Sequence, residues 1–392
     1  MVRISWFPLV IPCIRLWWID PYGSGRFVGP EIMVNIADSP GAQKLVDDPF
    51  GSRPYLVFWE VTRACALACK HCRAVAQPKR HPDELTSEEA ERLVDQLAEL
   101  SPPMLILTGG DPLMRLDVLQ IAQRADERGM RVGLSPAATA RLSNYDFDVI
   151  RQAGVSSMSL SLDGATRETH DAFRGVKGTF DRTIDAVHRA KAAGLSVQIN
   201  TTLTAHNLDE FDAFRDLMFE LEPSMWSVFI LVPTGRAGVV DMPSADALES
   251  VFERMADLVG KAPFGIKTTE GHHFRRVLAQ RGHGGQRGRQ GMRTPLGIRD
   301  GRGVMFISHT GVVSPSGFLP ADCGNVRDVH PAEVYREHPL FVSLRDSDAL
   351  GGKCGRCEFR TICGGSRARA YGVTGDMFAA EPACSYQPKS TR

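Results

Sequence analysis

From residue 55 onward the chain alternates short apolar runs with stretches whose apolar positions recur every three or four residues. Runs 55–61, 104–108, 130–134, 157–162, 195–203 and 226–232 have strand length, whereas 86–100, 116–128, 145–152, 179–193, 208–221 and 245–259 read as amphipathic helices. Thr86-Ser-Glu-Glu supplies a capping signal at the start of the first helix. Six strand-then-helix units imply right-handed crossovers and a parallel sheet, an α/β fold, and six are too few to close an eight-fold barrel. In such sheets ligands gather at the carboxyl ends of the strands. Ser135 follows the third strand, Ser161-Leu-Asp163-Gly ends the fourth, Gln198 and Asn200 lie on the fifth, and Pro233-Thr-Gly-Arg236 follows the sixth. Ser135, Gln198 and Asn200 can equally serve as strand-end hydrogen-bonding groups, and Asp163 as a turn-former before Gly164.

Cys65, Cys69 and Cys72 stand at Cys-x3-Cys-x2-Cys spacing directly after the first strand. Three thiolates on one short loop can hold three irons of a [4Fe–4S] cube and leave the fourth open for chemistry. A structural zinc knuckle, with His71 as fourth ligand, or three chance cysteines satisfy the same spacing. After the second strand, Thr108-Gly109-Gly110-Asp111-Pro112 is a glycine turn carrying a carboxylate; alone it reads as an ordinary strand-to-helix turn.

Composition narrows the classes. The chain has 392 residues and 43% hydrophobic content, enough for a large core and two domains with an appendage. With 46 basic and 46 acidic side chains, no chain-wide field favours nucleic acid or an anionic membrane. All nine cysteines except Cys13 fall in or near two groups with metal-like spacing, which suits thiols kept for metal in a reducing cytoplasm better than disulfides. The first fourteen residues faintly resemble a signal peptide. Two prolines interrupt the stretch, no cleavage site follows, and it is too short to span a bilayer. Residues 1–32 read as non-conforming sequence, with Met33 an alternative initiator, inside a partly disordered extension, residues 1–54.

Thr62-Arg-Ala-Cys-Ala-Leu-Ala-Cys-Lys-His-Cys72, followed by Gly109-Gly110-Asp111-Pro112, resembles the cluster loop and glycine motif of the radical S-adenosylmethionine (SAM) enzymes. The resemblance implies a partial (β/α)6 parallel barrel over residues 55–262, a [4Fe–4S] cluster on Cys65, Cys69 and Cys72, and His71 packed near the adenine of SAM. Gly109, Gly110 and Asp111 would bind the amino group of the methionine moiety. Glu is commoner than Asp at this last position, so Asp111 shortens the reach by a methylene. Ser161 and Arg174 would bind the ribose and the methionine carboxylate, and Asp163 would lie near the ribose. Ser135 and Asn200 complete the expected cofactor set.

Residues 263–303 are expected to be a linker. Its glycine- and arginine-dense stretch, 281–302, reads as mobile surface or as a basic flap over an anionic substrate. Beyond it, Cys354, Cys357, Cys363 and Cys384 can close a tetrahedral zinc or a second [4Fe–4S] site. Beside a radical SAM core, residues 304–392 resemble a SPASM-type auxiliary-cluster domain, which implies one second cluster with four protein ligands. Cys323 is left as a buried thiol.

Cys363-Gly-Gly-Ser-Arg-Ala-Arg-Ala-Tyr371, Glu381-Pro-Ala-Cys384 and Ser314-Pro-Ser-Gly-Phe-Leu-Pro320 are similar to the alternative-haem-synthase group, which acts on the propionates of iron-porphyrins. The implied activity is reductive cleavage of SAM to a 5′-deoxyadenosyl radical that oxidatively modifies a porphyrin, with a reducing donor such as flavodoxin or ferredoxin. Arg236, Arg367 and Arg369 are candidate propionate partners, with plain surface or cluster-adjacent charge as the other reading of each. Two other readings stand: a radical peptide maturase, and a non-catalytic two-cluster iron–sulfur protein.

Overall fold

The structure, a computed structural model, describes residues 48–283 and 297–389. The expectations for the N-terminal extension, Cys13 and Met33 and for the middle of the Gly/Arg stretch lie outside the described residues.

Six strands form where the apolar runs place them: β1 Leu56–Thr62, β2 Met104–Gly109, β3 Arg131–Leu134, β4 Val155–Ser161, β5 Ser196–Leu203 and β6 Met225–Ile230. Three more complete the sheet: β7 Gly265–Thr269, β8 Val304–Ile307 and β9 Val313–Ser314. They lie in the order β7-β6-β5-β4-β3-β2-β1-β8-β9, parallel throughout except for β8 against β9. Among the described residues the edge strands β7 and β9 do not pair with each other, so the sheet is an open arc with helices on its outer face.

Strand alternation assigns the two faces. On β5, Val197, Ile199, Thr201 and Leu203 are buried, while Ser196, Gln198, Asn200 and Thr202 are half-buried. The buried set joins the core that includes Ala186, Val187 and Ala190 of helix Thr179–Ala192. The other face lines the concave lumen and is polar. Trp226 of β6 belongs to the outer layer, its indole N–H donating to Thr201 Oγ1 at 3.0 Å. The capping signal on helix Ser87–Leu100 is realised as a reciprocal box, Thr86 with Glu89.

The linker expected over residues 263–303 needs correcting at both ends. Gly265–Thr269 is the seventh parallel strand, and Phe274–Gln280 is a helix. Ile266 is the only aliphatic residue in that strand, so its apolar signal is nearly nil, and pairing with β6 decides it. At the other end, Gly297–Arg302 is part of the packed structure. Arg299 is buried and donates to the Leu344 carbonyl at 3.3 Å and to Ser347 Oγ at 3.1 Å, and Arg302 pairs with Asp48 at 3.1 Å. β8 then pairs in parallel with β1, Leu56 opposite Val304, so the chain beyond 303 re-enters the same sheet.

Candidate active site

β1 ends at Thr62, and the next ten residues form the cysteine loop. Little regular structure supports it, so its backbone groups are tied down one by one. Cys65 N–H donates to the Gln77 carbonyl (2.8 Å), and Lys70 N–H to that of Phe173 (3.1 Å). Arg63 Nε donates to the Ala74 carbonyl at 2.6 Å. Arg236 contributes three bonds: its backbone N–H to the Cys72 carbonyl (3.2 Å), Nη1 to that of Cys69 (3.2 Å) and Nη2 to that of Ala76 (2.8 Å). Such donation from a guanidinium is stronger than from a neutral group. The Arg236 guanidinium is thus committed to the loop and is not a free propionate partner.

Glycines let neighbouring loops come close enough to do this. A Cβ on Gly110 would sit 2.5 Å from the Ala64 carbonyl oxygen and 2.7 Å from that of Arg63. Gly235, in the left-handed region with φ 64°, would collide with the Cys72 and Arg73 carbonyls if it carried a side chain.

A cavity of about 210 Å³ opens beside the loop. Cys65, Cys69, Cys72 and His71 line one side, and Gly109 and Gly110 line the turn after β2. Ser161, Arg174 and Asn200 complete the set of expected residues around it. Phe229 and Phe318 also line it, their ring centroids 6.4 Å apart. Burial pushes the Cys65 thiol up to about 12. His71 packs on Phe173 with centroids 4.3 Å apart, and burial lowers it to about 4, so its imidazole is neutral at pH 7.

Four expected residues, Asp111, Asp163, Ser135 and Gln198, do not line this cavity. Asp111 is fully buried behind the glycine turn, its carboxylate accepting from Leu113 N–H (3.2 Å), Ala137 N–H (3.4 Å) and Thr139 Oγ1 (3.1 Å). It holds the turn in place; burial raises its pKa above the ordinary carboxylate value. Asp163 is buried and ion-paired with Arg174; burial works to raise its pKa, but the guanidinium prevails and holds it low. It also accepts from Thr202 N–H at 2.7 Å. Ser135 is half-buried at the end of β3, its N–H on the Leu107 carbonyl at 2.9 Å. Gln198 donates to Asn200 Oδ1 at 2.7 Å, below the cavity.

Sequence reasoning passed over Arg73, which also lines the cavity. It pairs with Glu60 at 3.0 Å, and Glu60 in turn meets His309 Nδ1 at 2.9 Å. A glutamate inside the apolar run of β1 was the available signal. The Arg73 guanidinium also lies over the Phe306 ring, 4.8 Å from its centroid.

The four C-terminal cysteines line a second, separate cavity with His273, Arg276 and Glu381. Burial pushes Cys363 up to about 12 and raises Cys357 and Cys384. Glu381 N–H donates to Cys354 Sγ at 3.2 Å. Arg367 and Arg369, proposed above for propionates, are fully buried. Arg369 Nε pairs with Glu381 Oε1 at 2.9 Å and its Nη1 donates to the Glu270 carbonyl at 2.8 Å. Arg367 donates to the Met377 and Ala379 carbonyls. Both guanidinium groups join parts of the chain internally. Cys323 is a buried thiol, 3.7 Å from the Ala321 carbonyl oxygen.

Residues 59–218 match the Radical SAM superfamily. The chain is 40% identical over 346 residues to the AdoMet-dependent heme synthase of Oleidesulfovibrio alaskensis, covering 85% of this chain and 88% of that one. The chain belongs to the radical SAM superfamily. Its members use a [4Fe–4S] cluster and SAM, and this radical SAM protein is an enzyme. It is also 30% identical over 347 residues to the mycofactocin maturase MftC of Mycobacterium tuberculosis, covering 84% and 83% of the two chains. In structure it is similar to Streptococcus suis SuiB bound to S-adenosylmethionine, with TM-score 0.67, 18% identity and 88% and 80% coverage. That likeness speaks for the fold. Among the described residues, no helix is long and apolar enough to cross a membrane.

Replacing Arg236 with Met removes two charge-assisted bonds from the cysteine loop, so the variant is expected to retain less iron and sulfide per chain after anaerobic gel filtration than wild type. Asp111→Ala leaves Thr139 and two backbone N–H groups without their acceptor. It is expected to cost about 1–3 kcal/mol of stability in anaerobic denaturant titrations and to weaken SAM binding in equilibrium dialysis, because the glycine turn shifts.

Proposed function

We propose that this radical SAM enzyme oxidatively decarboxylates propionate side chains of an iron-porphyrin, with Cys65, Cys69 and Cys72 holding three irons of the catalytic cluster. The donor set and its setting support that assignment: three thiols face one cavity, on a loop whose backbone is fixed from several sides. When bound, the cluster and SAM together supply a 5′-deoxyadenosyl radical, and the chain's part is to position the reactants.

Gly109 and Gly110 leave room for SAM to approach the backbone. His71, neutral and with Nδ1 unpartnered, can receive the adenine, and Ser161 and Asn200 can receive the ribose. Arg174 keeps Nε without a partner while its terminal nitrogens meet Asp163 and Cys69 Sγ. That free donor suits the methionine carboxylate. Phe229 and Phe318 make part of the lining apolar and help keep water from a reactive centre. Asp111, Asp163 and Ser135 then act on the cofactor through the turn, through Arg174 and through the end of β3.

Each propionate would lose one hydrogen atom, one electron and carbon dioxide, leaving a vinyl group. The electron needs an acceptor. A second [4Fe–4S] cluster on Cys354, Cys357, Cys363 and Cys384 fits that part, because four thiols around one small cavity leave no iron for substrate. A reducing donor such as flavodoxin or ferredoxin would supply the electron that starts SAM cleavage.

The observation that carries the porphyrin reading is the 40% identity to a heme synthase across 85% of the chain, against 30% to a mycofactocin maturase across similar coverage. Anaerobic incubation of the reconstituted, reduced enzyme with SAM, with and without iron-coproporphyrin, tests it. Porphyrin-dependent 5′-deoxyadenosine and a porphyrin mass lowered by lost carboxyl groups are expected; slow deoxyadenosine indifferent to porphyrin would overturn the substrate. For the second cluster, iron should fall from roughly eight to roughly four per chain in Cys354→Ala/Cys357→Ala. Iron unchanged in that variant would remove the second cluster from the scheme.

A further inference from the structure

The arginines around the active-site cavity are already engaged. Arg73 is paired with Glu60, Arg174 with Asp163 while its Nε is assigned above to the methionine carboxylate, and Arg236 with backbone carbonyls. A substrate rich in carboxylates needs a cation beyond these.

The nine strands carry two basic residues, Arg131, exposed at the start of β3, and Lys267 on β7. Strand register places Lys267 in a row that reaches the cavity. Ser161 of β4 lies opposite Asn200 of β5, Asn200 opposite Ser227 of β6, and Ser227 opposite Lys267. Ser161 and Asn200 line the cavity. Lys267 therefore starts two strand spacings, about 10 Å, from Asn200 along the row.

Its side chain is on the lumenal face. One residue on, Thr268 turns outward, bonding the Gly271 carbonyl at 2.8 Å, with Gly271 in turn beside Phe252 of the outer layer. Two residues on, Thr269 shares the face of Ser227, their hydroxyls 3.2 Å apart. Period-two alternation puts Lys267 with Thr269 and Ser227. Among the described residues Lys267 has no hydrogen-bond or ion-pair partner, and burial lowers it to about 8. A partly desolvated ammonium without a counter-charge gains most from an incoming anion.

From this placement we infer that Lys267 anchors a carboxylate of the substrate, resting on the porphyrin reading above, in which that carboxylate is a propionate. Coproporphyrin carries several propionates around one rigid ring, so holding one at the β7 edge fixes which edge of the ring faces the cysteine loop. Orientation of this kind is a large part of what a radical enzyme contributes to the reaction.

The test is an equilibrium titration of reconstituted enzyme with iron-coproporphyrin in the absence of SAM, followed by porphyrin absorbance. Lys267→Gln should raise Kd roughly tenfold or more, the usual scale for losing a charge-assisted contact, while Lys267→Arg stays near wild type. In turnover, KM for porphyrin should rise more than kcat falls. If wild type binds and Lys267→Gln binds equally tightly, with an unchanged thermal midpoint, the assignment of Lys267 is overturned and the porphyrin reading survives. If wild type binds no porphyrin, both fall together. Should Lys267→Gln fail to fold, Lys267→Met gives the second neutral variant for the same titration.

Discussion

Everything in this protein depends on holding a ten-residue loop, with almost no regular structure of its own, so that three thiols face one space. A strand or helix satisfies its own backbone; this loop cannot, and buried amides and carbonyls without partners are costly. Its partners come from all around the lumen: Gln77 from the chain just beyond it, Phe173 and Arg174 from the chain after β4, and Arg236 from the turn after β6. The glycines at 110 and 235 follow from the same constraint, since their missing side chains are where neighbouring backbone passes.

The second constraint is electrostatic. The C-terminal segment is locked against the barrel by charges with almost no exposure to water. Arg369 joins Glu381, beside the second cysteine group, to the Glu270 carbonyl at the end of β7. Burial opposes the charge on Glu381, and Arg369 keeps it ionised below the usual range. Such a pair adds little net stability, but losing either partner would strand the other in the interior. It therefore ties the segment that carries the second cysteine group to the end of β7. β8 adds to this by pairing with β1, the strand that leads into the first cysteine loop.

Charge also explains why three arginines that look like substrate contacts in the sequence are not free to act as such. Arg236, Arg367 and Arg369 each stand in segments rich in glycine and small residues, which reads as exposed loop. In the folded chain those small residues allow close packing, and the guanidinium groups fill the hydrogen-bonding needs of the carbonyls that packing brings together. Glu60 and Arg73 show the converse. Each lies in a segment already assigned, one to a strand and one to the cysteine loop, and only the fold pairs them beside the cavity.

The sequence alone determined the six strands from β1 to β6, their helices and the cysteine spacing. These are local: apolar periodicity and thiol spacing act over a few residues and need no distant partner. It also placed Gly109, Gly110, Ser161, Arg174 and Asn200 at strand ends or in the loops that follow. Only the tertiary structure decided that Asp111 and Asp163 turn away from the cavity, because their acceptors are claimed by Thr139, Thr202 and Arg174. It likewise made strands of Gly265–Thr269 and Val304–Ile307, whose pairing with β6 and β1 no local pattern announces. The physical reason is common to all of these: which donor meets which acceptor, and which short segment finds a sheet edge, is settled by residues far away in sequence and adjacent only once the chain has folded.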